Sequence, residues 1–137
     1  MGSAKFHLAR AERNFQACQF MRAEFPEWAG VALFYSALHY VDWALADERQ
    51  LNKDERNPRK HVGFEPGARG RNQIVAKEYA EIAVEYNSLY DMSRRSRYDV
   101  GRLSQGLGDD NAVLDLMIGQ WRNVKEFCER RRAARGY

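Results

Sequence analysis

Sustained alternation of apolar and polar residues, the mark of a half-buried strand, is missing from this chain. A sandwich or open sheet is therefore excluded and helices remain. Cysteine is scarce: Cys18 and Cys128 lie far apart, without metal-ligand spacing or a disulfide framework. They read as small buried hydrophobes of a reducing compartment. No glycine-rich loop suited to phosphate opens a helix, no paired catalytic carboxylates are evident, and no serine or cysteine has a matching base. Kinases and hydrolases built on those devices are excluded. Uncharged runs are short of a membrane span too. The most apolar stretch, 28–46, holds Ser36, His39 and Asp42 in its middle, where a bilayer would penalise them. No membrane association is expected. Met1-Gly2-Ser3 reads as a tag remnant and Phe6 onward is already amphipathic, so no leader is expected and a cytoplasmic location is.

What is present is helical. At 137 residues the chain reads as one domain, 1–137, able to bury a core. In 28–46, Val31, Phe34, Leu38, Val41 and Leu45 recur at steps of three and four. Ala32, Tyr35, His39, Tyr40 and Trp43 widen that face, so this helix is buried on more than one side and organises the rest. Before it, 4–25 read as a first helix, with Leu8, Ala11, Phe15, Cys18 and Phe25 near one face. Pro26 ends that helix and suits the first turn of the next, making the two antiparallel neighbours.

Residues 47–71 carry two prolines, three glycines and dense mixed charge, and read as a long loop. Periodicity returns near Asn72, where Val75, Tyr79, Ile82, Tyr86 and Leu89 predict a third helix closing on Arg94, Arg95 and Arg97. Asp109 or Asp110 caps a last helix whose buried face runs through Met117, Trp121, Val124 and Cys128. Residues 130–137 read as a basic tail. The fold class is an all-α antiparallel bundle of four to five helices.

Charge gives the first functional hint. Of 22 basic residues, 17 are arginine, whose planar fork grips phosphate in a bidentate way that lysine cannot. His39 and Asp42 stand one turn apart and suit a structural polar pair; two ligands fall short of the three or four that zinc takes, so no metal and no cofactor is expected. His7, near the terminus, gives no signal. His61 differs, because it follows Arg56-Asn57 by a short step among Arg59, Lys60, Arg69 and Arg71. A proton-exchanging histidine beside cations is the minimum equipment for metal-free RNA cleavage through the ribose 2′-hydroxyl.

Three segments carry a family resemblance. Phe34-Tyr35-Ser36-Ala37-Leu38-His39 with Ala44-Leu45-Ala46, then Lys60-His61-Val62-Gly63, then Leu89 through Arg94-Arg95-Ser96-Arg97-Tyr98-Asp99 resemble the HEPN domain, the higher-eukaryote and prokaryote nucleotide-binding helical domain. The resemblance spans most of the chain. It implies a bundle that dimerises and acts on RNA or nucleotides in a prokaryotic defence or toxin–antitoxin setting, as a metal-independent endoribonuclease. The alternative it implies is a catalytically silent binding or scaffolding domain that partners a nucleotidyltransferase, an antitoxin or another protein. The family's ribonuclease signature, arginine then histidine four to six residues on, matches Arg56 and His61 as the catalytic pair. Arg59, Lys60, Arg94, Arg95, Arg97 and Tyr98 are the expected nucleic-acid contacts. At the helix end where many active members carry the signature, this chain has Ser93 and Tyr98 instead.

Overall fold

The computed structural model describes residues 4–48, 51, 71–98 and 110–136, the side chains of 96–98 excepted. Among them lie five α-helices, α1 (Ala4–Met21), α2 (Pro26–Leu45), α3 (Arg71–Glu78), α4 (Ala83–Tyr98) and α5 (Asp110–Ala134), with a 3₁₀ turn at Ala80–Ile82. No strand occurs among the described residues, and no helix there is long and apolar enough to cross a membrane.

The first helix stops at Met21, four residues before the expected end at Phe25. Pro26 is the first residue of α2, and the residue before a proline is driven out of helical conformation. Phe25 accordingly has φ −133° and ψ 62° and its side chain is half exposed. Its carbonyl still accepts from the N–H of Ala29, at 2.9 Å, and so begins α2. The expected third helix is two. It breaks at Tyr79, which leaves helical geometry at φ −121°, ψ 45°. The 3₁₀ bond from Ile82 N–H to Tyr79 carbonyl, at 3.0 Å, closes the break without stranding that carbonyl. The Tyr79 hydroxyl there donates to Glu48 at 3.0 Å, inside the core.

Helix α2 packs against α1, α4 and α5. It is antiparallel to α1 and α4 and runs alongside α5, an up-down-up-down order. Leu33, Ala37, Val41, Ala44 and Leu45 are wholly buried, and Phe34 tilts against Tyr86 and Tyr90 of α4 at 5.7 and 5.5 Å between ring centres. Phe15 of α1 stacks on Trp121 of α5 at 3.9 Å. The thiols lie in this core; burial pushes Cys18 up to about 11, against the pull of Arg22, and raises Cys128 by the same cause.

One small side chain ties three helices. Ser36 Oγ of α2 donates to the Ala11 carbonyl of α1 at 2.6 Å and accepts from Trp121 Nε1 of α5 at 2.8 Å. At the other end of α2, the expected basic tail proves to be structural. Residues 130–134 continue α5, and Arg132 and Arg135 reach across to the carbonyls of Trp43 and Ala44, each at 2.8 Å. Those carbonyls belong to the last turn of α2, where no helical partner remains for them. Cations are favoured there by the helix dipole as well. Arg132 also lies over the Trp43 ring and pairs with Asp47 at 2.5 Å. Arg131 and Arg135 bracket the buried Glu48 at 3.4 and 3.1 Å.

Two predictions follow from this packing. Ser36→Ala leaves the Trp121 N–H buried without an acceptor, and should cost about 1–3 kcal/mol of stability in urea denaturation; Trp121→Phe should cost less in the Ser36→Ala background than in wild type, a coupling that a double-mutant cycle reads directly. Gly119, inside α5, has open space around the position a Cβ would take. Gly119→Ala should therefore raise stability by about 0.5–1 kcal/mol.

Candidate functional site

Chemistry-bearing side chains converge in the seam between α1 and α2. Ser36 fixes the register there by its bond to Ala11. One turn along α2 from Ser36 is His39, and one turn back along α1 from Ala11 is His7, so the two antiparallel helices bring these histidines together. Their Nδ1 atoms lie 3.2 Å apart and the rings stack at 5.5 Å. One Nδ1 donates and the other accepts, which requires opposite tautomers. His7 is 3% exposed, and burial, followed by the charge of Arg71, holds it below the usual histidine range.

Asp42 follows His39 by a further turn and is wholly enclosed. Its ion-pair partner is Nε of Arg71, the first residue of α3, which is 0% exposed. Burial raises the Asp42 carboxyl above the ordinary range, with Arg71 pulling against that rise. The ion pair is close but poorly aligned, and neither carboxylate oxygen has a hydrogen-bond partner among the described residues. Two more buried hydroxyls of α4, Tyr86 and Ser93, are in the same condition. Burial first, and then the charge of Asp42, lifts the Tyr86 hydroxyl far above its normal range. His7, His39 and Asp42 each offer a ligand atom, and the three atoms lie within 4.8 Å of one another.

The expected polar pair of His39 with Asp42 is thus replaced by two pairs, His7 with His39 and Asp42 with Arg71. His7 and Glu48 drew no attention as site residues in the sequence, and Arg71, read there as one of the cations around His61, is instead buried against Asp42. His7 carried a usable signal, since with Ala11 and Cys18 it falls on the stripe that α1 buries. Arg71 lacked one, being grouped with the charged residues that precede it.

Of the sequence-derived site residues, Arg56, Arg59, Lys60 and His61 lie outside the described residues. Arg94 and Arg95 are exposed on the last turns of α4, with Arg94 over the Tyr90 ring at 5.7 Å. Arg97 and Tyr98 belong to the same helix, and their side chains are outside the description. Ser93 faces inward at 0% exposure. A shallow cleft of about 200 Å³ between α4 and α5 is lined by Glu81, Glu85, Glu126 and Arg130, an acidic surface unsuited to phosphate. Comparison of the chain with family models, with curated proteins and with solved structures finds no match.

Removing one partner of the buried ion pair strands the other charge. Asp42→Ala should cost about 3–5 kcal/mol, whereas Asp42→Leu combined with Arg71→Met should cost far less than the two single changes added together. Urea denaturation of the three variants checks this, and additive losses would show that the two charges do not depend on each other.

Proposed function

We propose that this chain is a HEPN-like helical domain that binds RNA or nucleotides in a prokaryotic defence or toxin–antitoxin setting. The observation that carries the reading is the difference between two arginine clusters. Arg131, Arg132 and Arg135 are spent on Glu48, Asp47 and the end of α2. Arg94 and Arg95 are exposed, and neither has an acidic partner among the described residues. Adjacent guanidinium groups with open forks suit a phosphate backbone. The proposal assigns Arg59, Lys60, Arg97 and Tyr98 the same phosphate- and base-contacting role.

For catalysis, the reading assigns the proton shuttle to His61 and the transition-state phosphate charge to Arg56. The 2′-hydroxyl attacks its own phosphate, the leaving 5′-oxygen takes a proton, and a 2′,3′-cyclic phosphate remains. A second reading, the silent binding or scaffolding domain, is favoured by one observation. Ser93 stands at the helix end where many active members carry the signature arginine, and its side chain points into the core. Exposed Phe20 and Leu116, on α1 and α5, support the two-fold homodimer included in the proposal.

A single set of assays separates these readings. Arg94→Gln with Arg95→Gln should weaken RNA binding at low salt and flatten its salt dependence, because fewer counterions are released. Unchanged binding by the folded double variant would remove the cluster from the interface. Without added magnesium, wild type should cut RNA to cyclic-phosphate ends, and His61→Ala should be slower by about a hundred- to ten-thousand-fold. RNA binding without cleavage by wild type would leave the silent domain as the better account.

A further inference from the structure

We propose that His7, His39 and Asp42 form a binding site for one divalent transition-metal ion of the zinc type, seated in the seam between α1 and α2. This site is independent of the RNA reading. Imidazole nitrogen combined with carboxylate oxygen is a donor set that zinc accepts, and three protein ligands leave one position for water.

The geometry of the histidine pair is the first support. Zinc lies about 2.0–2.1 Å from each histidine nitrogen, so two nitrogens 3.2 Å apart would subtend about 100° at the ion, close to the tetrahedral angle. Two imidazoles facing each other through Nδ1 otherwise share a single proton. A metal takes the place of that proton: the donating ring shifts its hydrogen to Nε2, and both Nδ1 lone pairs turn to the ion with no net proton released.

The second support comes from the carboxylate. A buried polar oxygen without a hydrogen bond is costly, and native interiors hold few of them. Arg71 Nε pairs with Oδ1 of Asp42, and Oδ2 is in that state among the described residues, with its lone pairs available. With all three ligand atoms within 4.8 Å, the Asp42 carboxylate completes the set by closing toward the histidines by about 1.4 Å, to the spacing that a tetrahedral site requires. Arg71 remains paired with Asp42, the kind of outer-shell contact that orients ligating carboxylates. Its positive charge also opposes the ion, which limits affinity, while the two imidazole nitrogens favour zinc over a hard, oxygen-seeking cation such as magnesium.

Fold, not sequence spacing, creates the site. Its third ligand comes from a different helix, whose register Ser36 sets. Occupancy would lock α1 to α2 at the end opposite the turn at Phe25–Pro26.

The test uses the full chain, stripped with EDTA and titrated with zinc chloride. Calorimetry should give one equivalent bound, and the melting temperature should rise with zinc. Cobalt(II) in its place should give the visible absorption bands of a tetrahedral ion. Long-range ¹⁵N spectra of labelled histidine should show zinc on Nδ1 of two rings, with their protons on Nε2. His7→Gln and Asp42→Asn should each weaken binding by more than about tenfold, as loss of one of three ligands requires. The proposal is overturned if wild type binds no zinc, if zinc leaves the Nδ1 resonances of His7 and His39 unmoved, or if folded His7→Gln binds as wild type does. Should the variants fail to fold, the wild-type ¹⁵N spectra decide alone. No RNA enters these measurements, so failure here and failure of the RNA reading are distinct results.

Discussion

A helix enclosed by three others has no water to satisfy its polar groups, and every such group on α2 must find its partner in protein. That demand sets the architecture. Ser36 takes its two partners from α1 and α5. Asp42 takes Arg71 from α3, and the last carbonyls take Arg132 and Arg135 from the end of α5. Apolar burial supplies the gross driving force but is indifferent to small slides of one helix along another. The polar bonds are not indifferent. A one-turn slip of α1 would part Ala11 from Ser36 and His7 from His39 together.

Local periodicity made the helices legible. The uncharged stretch 28–46 announced α2, and the three-four stripes announced α1, α4 and α5, because side chains that share a face are neighbours in sequence. The partners of buried polar groups obey no such period. Glu48 receives Tyr79 and Arg131, residues dozens of positions away. Nothing local distinguishes Arg132, which is buried, from Arg130, which pairs with the exposed Glu81. The same limit hid the role of His7, whose partner is thirty-two residues distant. The break at Tyr79 was invisible for the opposite reason: a 3₁₀ turn keeps Ile82 and Tyr86 on the stripe that a continuous helix would produce.

The two places where chemistry collects make opposite demands on arginine. Arg71 is useful because it is shut away, where its charge pulls against the burial that raises Asp42 and bears on His7. Arg94 and Arg95 are useful only while they meet solvent and a ligand that arrives from it. Composition alone, rich in arginine throughout, could not divide those roles; burial does.

The reach of Arg132 and Arg135 to α2 has a consequence for how the chain is made. α1 and α2 leave the ribosome early, yet the final carbonyls of α2 and the Glu48 carboxylate have no cations until the far end of α5 appears. Arg132 follows the Trp43 carbonyl it caps by 89 residues, a span that takes about 4 to 18 s to synthesise at ordinary elongation rates. At the start of that interval the first hairpin has neither α4 nor α5 to cover the other apolar faces of α2. The second helix is complete only once the fifth has been made.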